Sequence, residues 1–215
     1  MAVVDITSFS IYDTNIIIYA IIGEITEKIL EIKNKMNIAD KVKDEIKNKL
    51  GKSEYYREYK SLVYNERINI ISERRFSEEQ KRGIVANLMQ FKMQNFFGRP
   101  AYLKNEGEFA SALYAINLNI PTFYTNDLAF IREYGKEEAF KTLSILTFKE
   151  LLAELYDEEK IDNLYEEIME RADNLSEHLN EEREEYEIVK RKELMNDFSK
   201  KFNLPMELIK SLPEV

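Results

Sequence analysis

Short apolar, β-prone runs alternate with longer stretches of helical periodicity as far as about residue 155, and this alternation leaves the chain few architectures. Phe9-Ser10-Ile11-Tyr12-Asp13 reads as a strand that ends in the polar triplet Asp13-Thr14-Asn15, with a helical pattern from Ile16 through Lys35. An apolar point at Ile38 leads into Lys41–Leu50, where Val42, Ile46 and Leu50 share one helix face and Gly51 closes the element. Ile68–Ile71 reads as a strand. Ser77-Glu78-Glu79-Gln80 is a capping box that opens a helix to about Phe97, with Gly98-Arg99-Pro100 as its terminator. Glu108–Leu118 is helical by period, Ile120–Thr125 and Leu143–Leu146 are strands, and Phe148–Leu155 is a helix. Strands alternating with helices predict a three-layer α/β/α sandwich around a mainly parallel sheet. Ligands on such sheets bind past the carboxyl ends of the strands, where the strand order reverses. Asp13 and Asp127 each follow a strand's carboxyl end.

Composition removes several kinds of chemistry. The chain has no cysteine and a single histidine, His178, so thiolate zinc sites, disulfides, a cysteine nucleophile and multi-histidine metal sites are excluded. Metal chemistry would have to use carboxylates, which favour hard ions such as Mg²⁺ and Mn²⁺. The longest apolar run, Ile16–Ile22, is far below the roughly 20 residues that span a bilayer, and no signal-peptide pattern opens the sequence. A cytoplasmic protein without membrane contact is the expectation.

The net charge of −9 is unevenly spread. Residues 155–215 carry 18 acidic and 9 basic side chains, so residues 1–154 balance at 22 of each. Two segments follow: residues 1–155, which hold every predicted strand, and an acidic helical extension over residues 156–215. In the extension Ile161, Leu164, Ile168, Ala172, Leu175 and Leu179 form an amphipathic stripe. A second helix is predicted over Glu184–Phe202 and a short third over Leu204–Leu212.

Four segments carry acids in a telling order: IYDTNIIIYA (11–20), DKVKDEIKNKL (40–50), NEGEFASALYAINLNIPTFYTND (105–127) and the closing LSILTFKELL (143–152). Over about residues 8–155 this order resembles the PIN domain, a family of metal-dependent ribonucleases that includes many bacterial and archaeal toxins. The resemblance implies four catalytic acids, Asp13, Glu45, Glu108 and Asp127, with Asp44 a rival for Glu45 and Glu106 for Glu108. It also implies cleavage leaving 5′-phosphate and 3′-hydroxyl ends. Two residues past the fourth acid, where toxin members often carry another, this chain has Ala129.

Four carboxylates within about 5–6 Å repel by roughly 3 kcal/mol per pair at an effective dielectric near 20, so protons or a cation must neutralise them. Asp13, Asp127 and Glu108 are the expected holders of Mg²⁺ or Mn²⁺, and Glu45 is expected to orient the attacking water or complete the shell. Asn15, Thr125 and Asn126 are expected to hold the carboxylates by hydrogen bonds. Lys81, Arg82, Lys92, Arg99, Lys104 and Arg132, mixed with Phe96, Phe97 and Tyr102, are candidates for RNA phosphates and bases. RNA is the expected substrate, and an antitoxin or other protein and a second copy of the chain are the expected partners. His178 has no assigned role.

Overall fold

Five parallel strands in the order β3-β2-β1-β4-β5 form the centre of the molecule. The computed structural model describes residues 10–91 and 106–202. The strands are β1 (Ile11–Tyr12), β2 (Met36–Ala39), β3 (Ile68–Ile71), β4 (Thr122–Tyr124) and β5 (Ser144–Leu146). Between and after them lie α1 (Thr14–Ile22), α2 (Thr26–Lys33), α3 (Asp40–Leu50), α4 (Glu54–Tyr64), α5 (Glu78–Gln90), α6 (Glu106–Asn117), α7 (Leu128–Tyr134), α8 (Phe148–Leu155) and α9 (Glu158–Phe202). This is the expected three-layer α/β/α arrangement on a parallel sheet.

Register decides what each face of the sheet buries. Ile11 lies beside Phe123 and Tyr12 beside Tyr124, so the two pairs point to opposite faces. On one face Phe123 meets Phe130 of α7 edge-on, and Phe109 of α6, Tyr134 and Phe140 extend that aromatic layer. On the other, Tyr12 stacks on Tyr124 with ring centroids 5.2 Å apart. The Tyr124 hydroxyl donates to Glu154 of α8, which also pairs with Lys33 of α2 at 2.6 Å.

After β3 the chain crosses to the far side of β1 to form β4, so the strand order reverses between β1 and β4. Asp13 is the cap residue of α1, directly after β1, and Asp127 is the cap residue of α7, shortly after β4. Both acids therefore stand at the switch point.

Three elements depart from the sequence reading. The helical pattern from Ile16 to Lys35 is two helices, because the chain turns at Gly23 and Glu24, the latter with φ of 56°. A Cβ on Gly23 would lie 2.4 Å from Ile168 Cδ1 of α9, so a larger residue here would have to push the Ile168 side chain aside. Helix α4 was not anticipated; Ser53 caps it by accepting from the Tyr56 amide. The tail's two predicted helices are one, since nothing between Leu179 and Glu184 breaks a helix and the segment is rich in good helix formers. The predicted helix end at Gly98-Arg99-Pro100 and the short helix over Leu204–Leu212 lie outside the described residues.

The chain divides into two compact units, Met1–Ala172 and Asp173–Val215. The first turns of α9 belong to the first unit: Ile161 and Ile168 are buried, Tyr165 packs on Phe148, and Arg171 donates to the Ile22 carbonyl at 3.4 Å. In the second unit His178 pairs with Glu182 one turn on, at 3.3 Å. Among the described residues no helix is long and apolar enough to cross a membrane.

Because Ile168 is only 1% exposed, Ile168→Ala should lower unfolding free energy by about 2–5 kcal/mol. The half-buried Leu179, further along the same stripe, should cost about 1 kcal/mol or less when changed to Ala. Urea denaturation of the two variants checks the difference.

Candidate functional site

Asp13 is fully buried, yet its carboxylate does not cap α1, the ordinary use of an aspartate at that position. Its backbone amide donates to the Tyr124 carbonyl at 2.9 Å, which extends the β1–β4 pairing by one residue and fixes where the side chain starts. Oδ2 accepts from Thr125 Oγ1 at 3.2 Å. Oδ1 has no hydrogen-bond partner among the described residues. A buried carboxylate oxygen without a partner is costly, so something has to offset it.

Thr125 couples two of the acids. While its hydroxyl donates to Asp13, its oxygen accepts from the Asp127 amide at 3.2 Å. Asp127 Oδ1 in turn accepts from the Phe130 amide at 2.8 Å and caps α7. One oxygen of Asp127 is thus committed to the helix.

Glu45 reaches the same region from α3. Its Oε2 accepts from Thr14 Oγ1 at 2.5 Å and its Oε1 from the Gly107 amide at 3.1 Å. A Cβ on residue 107 would lie 2.7 Å from Glu45 Oε1, so the carboxylate can dock on the start of α6 only where that residue is glycine. Glu108, the next residue, is 8% exposed. Burial pushes its carboxyl up to about 8, and the negative charges of Asp13, Glu45 and Asp127 push the same way. Asp13 is raised to about 6, first by burial and then by Glu45, against the Thr14 amide, Lys49 and Thr125. Glu108 therefore feels the charge of all three other acids, and Asp13 feels that of Glu45.

Asp40 and Asp44 make other contacts. Asp40 accepts from the Tyr114 hydroxyl and from the amides of Lys41 and Glu73, tying α3 to α6 and to the turn after β3. Asp44 acts on Tyr59. Glu106 is buried in the first turn of α6. The expected supporting groups divide: Thr125 bridges Asp13 and Asp127, Asn15 Oδ1 accepts from Lys49 Nζ at 2.9 Å, and the Asn126 side chain makes no hydrogen bond to the acids among the described residues. Thr14 and Lys49 went unassigned in the sequence, although Thr14 sits inside the Asp-Thr-Asn triplet and Lys49 lies one helical turn past Glu45.

Of the basic candidates, Lys81 pairs with Glu78 at 2.9 Å, and Arg82 and Arg132 are exposed. None of the three bonds to the four acids among the described residues. Lys92, Arg99, Lys104, Phe96, Phe97 and Tyr102 lie outside the described residues.

The donor set is all oxygen and strongly anionic, and the bare Asp13 Oδ1 lacks the partner that a hard divalent ion would supply. As placed, no three acidic side chains among the described residues are grouped closely enough to hold an ion together. Glu45 is turned toward Thr14 and Gly107, and Asp127 toward α7, so the set matches Mg²⁺ or Mn²⁺ in chemistry without forming a closed shell.

Two outcomes follow. Asp13 and Glu108 bind protons more tightly in the folded chain than unfolded, so their contribution to stability is complete below about pH 4. It is lost as pH rises through about 6 for Asp13 and about 8 for Glu108. In divalent-free buffer, Glu108→Gln should therefore raise Tm relative to the parent by about 2–6 °C at pH 8.5 and hardly at all at pH 5. Gly107→Ala should cost about 1–3 kcal/mol by displacing the Glu45 carboxylate. In that background Glu45→Ala should cost less than it does alone, a coupling of about 1 kcal/mol in a double-mutant cycle.

No protein-family model matches the chain, and no curated protein matches it. Among solved structures it is similar to the crystal structure of VapBC2 from Rickettsia felis bound to a DNA fragment from their promoter, with 23% identity, 65% of this chain and 98% of that chain covered, and a TM-score of 0.40.

Proposed function

We propose that the chain is a divalent-metal-dependent endoribonuclease whose site is the acidic cluster at the β1–β4 switch point. The observation that carries this reading is the buried Asp13 Oδ1 without a partner among the described residues, beside Glu45, whose charge raises Asp13, and near Glu108, which Asp13, Glu45 and Asp127 raise in turn. A cluster of that kind is stable at neutral pH only with a proton or a cation in it. The choice of RNA rests on the PIN-domain resemblance of the four segments quoted above, three of which carry the four acids.

Asp13, Glu108 and Asp127 would hold Mg²⁺ or Mn²⁺. When bound, such an ion lowers the pKa of a water and offsets charge on the phosphate oxygens. The protein's own groups do the positioning. Thr125 fixes Asp13 against the Asp127 amide, so the two acids are set by one hydroxyl. Thr14 and the Gly107 amide hold both oxygens of Glu45, and that fixed carboxylate would serve as a proton acceptor for the attacking water or complete the shell. The Lys49 ammonium, hydrogen-bonded to Asn15, supplies positive charge beside Asp13.

Two measurements test the reading. After EDTA treatment, millimolar Mn²⁺ should raise Tm by several degrees in the parent chain and not in Asp13→Asn, since a ligand that binds only the folded state stabilises it by mass action. Mixed RNAs incubated with Mn²⁺ should be cut by the parent and on the order of 100-fold more slowly by Asp13→Asn. A Tm indifferent to Mg²⁺ and Mn²⁺, with RNA left intact, would overturn the proposal. Binding of RNA without cutting would make the chain a binding module.

A further inference from the structure

Over residues 173–202, α9 belongs to a unit of its own and carries large apolar side chains in the open: Ile188 is 54% exposed, Val189 53% and Leu194 62%. A helix of about 30 residues is about 45 Å long and gains most of its stability from packing rather than propensity. Leu175 and Leu179 upstream are less exposed than their polar neighbours, whereas Ile188, nine residues past Leu179, lies on the opposite side of the helix.

The charges along the same stretch are segregated. Residues 173–187 carry seven acidic side chains and one basic, a net of −6. Residues 188–202 carry five basic and two acidic, a net of +3. Among them Asp173, Glu177, Glu181 and Glu184 are exposed. The sign changes beside the exposed Ile188 and Val189.

We propose that residues 173–202 pair antiparallel with the same segment of a second copy of the chain, about a two-fold axis near Ile188. Charge selects both the partner and its direction. A second copy lying antiparallel sets the −6 half against the +3 half twice over, whereas parallel pairing sets like charge on like along the whole length. The two-fold axis also doubles the exposed apolar contact, since Ile188 and Val189 of one copy face the same residues of the other. Nucleic acid along this helix would meet the strongly acidic half. The pairing uses none of the four acids of the candidate site and stands independently of the ribonuclease reading.

The chain's lack of cysteine makes the test direct. Sedimentation velocity of the full chain should give a dimer at concentrations on the order of 10 μM. Ser176→Cys and Ser199→Cys would lie across from each other in the antiparallel pair. A short bis-maleimide should therefore link the two variants when mixed and link neither to itself. Reversing Lys190, Arg191 and Lys192 to Glu should weaken the dimer about tenfold or more, as should reversing Glu181, Glu182 and Glu184 to Lys. Mixing those two variants should restore association, and circular dichroism of each checks that helix content is kept. A monomer at all concentrations up to about 100 μM, self-linking of Ser176→Cys, or failure of the mixed charge variants to associate would each overturn the proposal.

Discussion

The pairing of β1 with β4 is the contact on which everything else in the site depends. It joins chain segments more than a hundred residues apart through two register pairs, and the amide of Asp13 adds a third rung on the Tyr124 carbonyl. That rung sets Asp13 beside Thr125, 112 residues further along the chain, and the Thr125 hydroxyl then links Asp13 to the Asp127 amide. A short strand suffices because both faces of the pair are covered, by an aromatic layer on one side and by the Tyr12–Tyr124 stack on the other. Without the packing, two residues of strand would not hold.

The cluster so assembled works against the fold. Burial and mutual repulsion make Asp13 and Glu108 weaker acids than in water, which means that their ionised forms destabilise the native state near neutral pH. The surrounding structure tolerates this because the backbone is held from several directions: Asp40 bridges α3 to α6 through Tyr114, and the Gly107 amide receives Glu45. Strain of this kind, confined to one pocket and offset elsewhere, is a usual mark of functional sites.

Much of the architecture could be read from the sequence because hydrophobic period and punctuation agreed. Val42, Ile46 and Leu50 announced α3, the Ile68–Ile71 run fell on β3, and Ser77 with Gln80 forms the capping box at the start of α5. Period failed where tertiary contact decided. The break between α1 and α2 falls at Gly23 and Glu24, where Ile168 from far along the chain packs close to Gly23, and α4 is amphipathic through tyrosines that composition alone does not assign to a face. In the candidate site, Asp13 and Asp127 stand where the sequence reading puts them, just past strand ends, and Glu108 stands in the first turn of a helix. What could not be found was which oxygen each neighbour would satisfy: Asn15 turned to Lys49 instead of a carboxylate, and Thr14 took Glu45. Rotamers and long-range hydrogen bonds leave no periodic trace in a sequence.

Helix α1 is gripped at both ends. Its first residue follows Asp13 and bonds to Glu45, while its last turn ends at Gly23, wedged against Ile168 with the Ile22 carbonyl meeting Arg171. Nine residues of nearly wholly buried, isoleucine-rich helix make a stiff strut between these two anchorages. A push on the root of α9 would therefore travel along α1 as a shift of the whole rod rather than be absorbed by bending, and its far end is the oxygen cage around Asp13.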